Sequence, residues 1–284
     1  MKIQLVECPR DAMQGLHEFV PTALKIEYLN QLLAVGFDTL DFGSFVSPKA
    51  IPQLKDTQEV LAQLHWNTHT KLLAIVANTR GAEQALTFDK ISYLGFPLSI
   101  SETFQQRNTN ASIAEALQTI TKIQDLCIKH GKVLVVYLSM GFGNPYGEAY
   151  SVQYLLDFTA QLAALGVQMI APSDTIGSAT PALIQEVFGM LIPAFPQINF
   201  GAHLHATPAD SITKLEAAYQ AGCRRFDGAI RGFGGCPMAT DDLTGNISTE
   251  LIIDYFENNN VALGINKHAF QQAYDLSAKV FQYE

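Results

Sequence analysis

The chain has 284 residues, of which 48% are hydrophobic and 16% charged, with a formal net charge of −9. That length buries one large core, and the acidic balance supplies no broad positive field, which excludes nucleic acid and anionic membrane surfaces as expected partners. Cys8, Cys127, Cys223 and Cys236 have no CxxC spacing, and no apolar run approaches the roughly 20 residues of a membrane span, so a reducing, cytoplasmic setting is expected.

The N-terminus enters a strand-like segment without the long apolar core of a signal peptide. Short apolar runs rich in β-branched residues then alternate with longer amphipathic runs. The strand candidates are Ile3–Cys8, Phe37–Phe42, Lys71–Ala77, Lys90–Gly95, Val133–Met140, Gln168–Pro172, Ile198–His205 and Arg225–Ile230. Helices are expected between and after them, at Pro21–Ala34, Pro48–Leu64, Ala82–Leu86, Ser112–His130, Ser151–Leu165, Pro181–Ala194, Pro208–Ala221, Ser248–Asn258 and Lys267–Gln282.

Ser112 and Glu115 form a capping-box pattern, and Thr180-Pro181 and Thr207-Pro208 each set a hydroxyl before a first-turn proline. Gly36 and Gly131 follow helices where a left-handed residue is wanted. Strands that are short, mostly apolar and separated by helices imply a parallel sheet covered on both faces. About eight such units in this length fit a single-domain (β/α)8 TIM barrel spanning residues 1–284, closed by a C-terminal helix. An open doubly wound sheet fits less well, because no G-x-G-x-x-G follows the first strand.

Barrel active sites are built from the C-terminal strand ends and the loops after them. Arg10 and Asp11 follow the first strand, Asp41 ends the second, Ser139 ends the fifth, and Asp174 and Thr175 follow the sixth. His203 and His205 are two apart on the seventh strand, so their rings share a face. Closure of the barrel brings Asp11, His203, His205 and Asn246 to one point, a mixed nitrogen and oxygen site suited to Mg²⁺, Mn²⁺ or Zn²⁺. Each feature has a plainer reading. An H-x-H pair is often a satisfied core pair, an Arg-Asp after a strand is often a solvated turn, and Asp174 can merely cap the next helix. Cys236 lies in a glycine-rich loop, GFGGCP, where a thiol can approach a ligand as acid, base or nucleophile, or can be incidental to a tight turn.

These residues resemble a known family. ECPRDAMQ resembles the signature PRDGLQ, GSFVSPKAIPQL resembles TSFVSPKWVPQM, FGNPYGE resembles FGCPYEG, and SDTIGSATP resembles GDTIGVGTP. GAHLHATP is similar to an HxHDT stretch, and GFGGCPMATDDLTGNISTE to GLGGCPYAxGASGNLATED. Together they point to the 3-hydroxy-3-methylglutaryl-CoA lyase family, among the metal-dependent barrel lyases and Claisen-type synthases. The resemblance implies cleavage of an acyl-CoA substrate to acetyl-CoA and acetoacetate by a homodimer. It also implies Asp11, His203, His205 and Asn246 as ligands of Mg²⁺ or Mn²⁺. Arg10 would stabilise an enolate oxygen, Cys236 and His203 would take part in proton transfer, Asp41 would stand in a glutamate's place, and Asp174 would relay protons or support a ligand.

The sequence departs from the family pattern at Ala206, which replaces the aspartate of HxHDT, at Asp41 for glutamate, and at Asn144 for cysteine. The basic residues usual after the first signature are replaced by Gly15–Glu18, which bears on coenzyme A phosphate recognition. Two rival readings follow: a condensing synthase of the isopropylmalate or homocitrate type, and a non-catalytic barrel that binds metal or acyl-CoA.

Overall fold

The computed structural model describes residues 2–235 and 244–282. The strands are β1 (Gln4–Glu7), β2 (Thr39–Ser44), β3 (Lys71–Ile75), β4 (Ile91–Ser99), β5 (Val133–Ser139), β6 (Met169–Asp174), β7 (Asn199–Leu204) and β8 (Arg225–Gly228). Each pairs in parallel with the next, and β8 pairs back onto β1 from Gln4↔Arg225 to Glu7↔Gly228, so the sheet is a closed barrel. Closure leaves no sheet edge and sends every strand's C-terminal end to one mouth.

The helices are α1 (Pro9–Gln14), α2 (Thr22–Val35), α3 (Thr57–Ala62), α4 (Thr79–Ala85), α5 (Glu102–Thr109), α6 (Ile113–His130), α7 (Val152–Ala164), α8 (Pro181–Ala194), α9 (Ser211–Gln220), α10 (Thr249–Asn258) and α11 (Lys267–Val280). The larger apolar cluster lies between barrel and helices, and a smaller one, Leu73, Ile75, Val135, Tyr137, Met169 and Ala171, fills part of the barrel interior. Among the described residues no helix is long and apolar enough to cross a membrane.

Local chemistry explains most element boundaries. Ser112 and Glu115 make both bonds of the capping box that starts α6, and Thr180 accepts from the Leu183 amide at the start of α8. Gly36 and Gly131 take φ of 89° and 63° after α2 and α6.

Four expectations need correction. The strand expected to end at Gly95 runs on through Pro97 to Ser99. Beyond Gly95 only the β5 side of β4 is paired, which leaves room for a residue without an amide hydrogen. The continuous helix expected over Pro48–Leu64 is a 3-10 turn at Pro52–Leu54 followed by the short α3, because Pro52 cannot continue an α-helical ladder. α9 begins at Ser211 and not at Pro208, since the Thr207 hydroxyl donates to Asp210 Oδ1 (2.6 Å) and does not cap the helix. Finally, α1 and α5 were not expected. α1 is six residues long, and α5 buries only Phe104 and Gln105, so neither gives much periodic signal.

Candidate active site

The barrel mouth opens into a cavity of about 140 Å³, and Arg10, Asp11, Ser139, Thr175, His203 and His205 are among the residues that line it. Arg10 and Asp11 reach it because Pro9 starts α1 directly after β1, which holds both side chains on a first helical turn. His203 and His205 come from the C-terminal end of β7, and their ring centroids are 5.3 Å apart. Asp11, His203 and His205 offer ligand atoms that all lie within 4.8 Å of one another.

Asn246 joins them from the segment after β8. It bridges to His205 in the backbone, and its Nδ2 donates to Asp11 Oδ2 (2.7 Å) and to the Phe233 carbonyl (2.9 Å). Gly234 packs so closely here, at φ 112°, that a Cβ would collide with the Asn246 amide nitrogen and meet Asp11 Oδ2 at 3.0 Å.

This donor set fits a divalent cation. His205 Nδ1 and Asn246 Oδ1 are buried lone-pair atoms with no hydrogen-bond partner among the described residues. Such orphans are costly unless something satisfies them. The protonation states of Asp11 and His205 agree. Burial pushes the Asp11 carboxyl up, but Arg10, His203 and His205 outweigh it and hold it at about 2. Burial, aided by His203, lowers His205 to about 4 and keeps it neutral. Burial also opposes charge on His203, yet its Nδ1 lies 3.2 Å from Asp227 Oδ2, and that carboxylate raises it overall.

Cys8, His203 and Asp227 form a second trio within 4.8 Å. It suits a cation less well. The Arg225 guanidinium already bonds Asp227 Oδ1 at 3.1 Å, and burial pushes the Cys8 thiol well up, away from the thiolate that binds metals.

Arg10 is held by the residues around it. It donates from Nε and Nη2 to Asp41 Oδ2 (3.0 and 2.6 Å), and from Nη1 to Asp11 Oδ1 (3.0 Å) and Gln14 Oε1 (2.9 Å). Burial disfavours its charge, but Asp41 and Asp11 overcome this and raise its pKa further. Burial pushes Asp41 up to about 6 against the pull of Arg10. Asp41 is 1% exposed and does not line the cavity; it touches Arg10 instead. Asp174 is also off the cavity wall, accepting from the Ala179 amide (3.1 Å) and Lys214 Nζ (2.9 Å). Cys236 lies outside the described residues.

Sequence reasoning missed Gln14, Lys214, Arg225 and Asp227. For the last pair a signal was present, because two charges spaced two apart in an expected strand must share a face. Lys214 gave none, since Asp210 and Lys214 read as an exposed i,i+4 pair on a helix.

The fold and this mouth define a (β/α)8 barrel with a candidate metal centre where its strands end. A family model described as HMGL-like matches residues 2–276, and the chain belongs to that family. Hydroxymethylglutaryl-CoA lyase YngG of Bacillus subtilis is 32% identical over 257 residues, covering 90% of this chain and 85% of its own length. The 3-hydroxy-3-isohexenylglutaryl-CoA/hydroxymethylglutaryl-CoA lyase of Pseudomonas aeruginosa is 29% identical, covering 96% and 90%. A solved HMG-CoA lyase from Acinetobacter baumannii, in complex with coenzyme A and 3-methylmalate, superposes with a TM-score of 0.91 at 29% identity, covering all of this chain and 92% of its own.

Proposed function

We propose that this protein is a divalent-metal-dependent carbon–carbon lyase that cleaves 3-hydroxy-3-methylglutaryl-CoA, or a close 3-hydroxyacyl-CoA, to acetyl-CoA and acetoacetate. The observation that carries the reading is the meeting of Asp11, His203 and His205 beside a buried arginine on the cavity wall. The names of its relatives support the same reaction. The lyase is read as one domain over residues 1–284, cytoplasmic and homodimeric.

Asp11, His203, His205 and Asn246 would hold the cation, Mg²⁺ or Mn²⁺ by this mixed donor set, with Zn²⁺ the alternative. When bound, it would lower the pKa of the substrate hydroxyl and polarise the ketone that forms. In the reaction the tertiary hydroxyl gives up its proton, and the bond between C2 and C3 breaks. Its electron pair passes into the thioester enolate while C3 becomes the ketone of acetoacetate, and the enolate carbon then takes a proton.

Arg10 supplies the positive charge that the enolate oxygen needs, and Asp41 keeps the guanidinium in place through the bonds to Nε and Nη2. His203, oriented by Asp227 at 3.2 Å, takes part in moving the hydroxyl proton. Cys236 takes part in proton transfer, the role the family resemblance gives it. Asp174 acts by holding its neighbours.

The test is a cleavage assay with 3-hydroxy-3-methylglutaryl-CoA, purified protein, Mg²⁺ or Mn²⁺ and a thiol reductant, following acetoacetate with an EDTA control. Metal-dependent release that EDTA abolishes is the expected result. No release from folded protein loaded with metal would overturn the assignment of substrate.

A further inference from the structure

Lys214 sits near the start of α9 and is only 2% exposed. An ammonium so buried must be fully partnered to be tolerated. Its Nζ donates to Asp174 Oδ2 (2.9 Å), the Gly177 carbonyl (2.8 Å) and the His205 carbonyl (2.9 Å), and lies 3.2 Å from Asp210 Oδ2. The first three partners belong to the end of β6, the turn after it and the residue after β7. One charge thus fastens two neighbouring strand ends together.

The bond to His205 matters most. The peptide joining His205 to Ala206 is gripped from both sides, its carbonyl by Lys214 and its amide by the Gly245 carbonyl (3.0 Å). Gly245 immediately precedes Asn246, which bridges to His205. Once the backbone is fixed, few side-chain rotamers remain, so the carbonyl bond limits where the imidazole can point. Residue 206 is an alanine and supplies no carboxylate to anchor this turn, and the His205 ring has Nδ1 unpartnered among the described residues. The ring also bonds the Thr244 backbone, and the anchorage of the His205 peptide adds to that hold on its orientation.

We propose that Lys214 is a positioning residue for the metal centre, its ammonium tying the His205 backbone to the end of β6 and so aiming the imidazole as a ligand. The inference rests on the metal reading given under the proposed function.

The experiment titrates Mn²⁺ into the wild type, Lys214→Met, the double variant Lys214→Met/Asp174→Asn, and Asp210→Asn, following free Mn²⁺ by electron paramagnetic resonance, with thermal unfolding in parallel. Lys214→Met is expected to bind Mn²⁺ about 10–100-fold more weakly, the usual effect of losing a group that orients a ligand. The double variant, which removes the buried charge pair as a unit, regains thermal stability but keeps the weakened Mn²⁺ affinity. Asp210→Asn, which loses only the partly exposed ion pair, binds Mn²⁺ as the wild type does. Wild-type affinity in the folded double variant would reduce Lys214 to a counter-ion for Asp174 and overturn the inference alone. A wild type that binds no Mn²⁺ would overturn the metal reading, and this inference with it.

Discussion

On the β3, β5 and β6 walls the barrel interior is filled by the apolar cluster of Leu73, Ile75, Val135, Tyr137, Met169 and Ala171, of which Ile75 and Tyr137 reach the cavity wall. On the opposite side β2, β7 and β8 contribute Asp41, His203, Arg225 and Asp227, with Arg10 above them from α1. The two sides meet where the Tyr137 ring stands edge-on to His203, centroids 5.4 Å apart. Apart from the buried Tyr137 hydroxyl, the apolar side needs only volume and shape. The polar side survives burial because each carboxylate has a cation in reach: Asp41 with Arg10 at 2.6 Å, and Asp227 with Arg225 at 3.1 Å. Gly201 serves the same end, since a Cβ there would collide with the Arg225 guanidinium. Perturbing the apolar side should therefore cost stability, and perturbing the polar side should cost chemistry as well.

Arg10→Met should give the largest effect. It removes the charge proposed to face the enolate, and loss of one such donor typically lowers kcat about 10²–10³-fold. It also leaves Asp41 buried without its cation, a change that costs about 3–5 kcal/mol in comparable pairs. Adding Asp41→Asn should recover much of the stability and none of the turnover. Recovered acetoacetate release in that double variant would mean that Arg10 serves only to neutralise Asp41.

Leu73→Ala is the matching change on the apolar side. Leu73 is fully buried and does not line the cavity. Denaturant unfolding should show a loss of about 2–5 kcal/mol, with kcat close to wild type below the new melting temperature. A fall in kcat comparable to that of Arg10→Met would show that the two sides are not separable.

The barrel was readable because its signal is repetitive: apolar strands, amphipathic helices and strand-end polar residues recur along the chain, so small boundary errors at Gly95 or Pro208 did not change the architecture. The ligand candidates Asp11, His203, His205 and Asn246 were readable because closure brings β1, β7 and the segment after β8 together wherever the loops run. The supports were not. Whether Asp41 faces a substrate or holds Arg10 depends on a side-chain direction that one residue of strand register decides. Two of the bonds of Lys214 go to the backbone carbonyls of residues 177 and 205, and carbonyls leave no trace in the order of side chains.

Glu7 sharpens the contrast, because it is a buried carboxylate whose two bonded partners are neutral, the Ile230 amide (2.9 Å) and the Thr249 hydroxyl. Burial pushes it from an ordinary 4.5 to about 8, where Asp41, facing Arg10, reaches only about 6. The folded protein thus binds this proton more tightly than the unfolded chain does. The stabilisation from Glu7 is fully present below 4.5 and is lost as pH rises through 8. Between those limits the loss is at most about 1.4 kcal/mol per pH unit, or roughly 2–5 °C in melting temperature for a chain of this size. Glu7→Gln keeps the acceptor oxygen and has no proton to lose. Its melting temperature should therefore fall less than that of the wild type from pH 6.5 to 7.5, and equal slopes would mean that Glu7 stays ionised despite its burial.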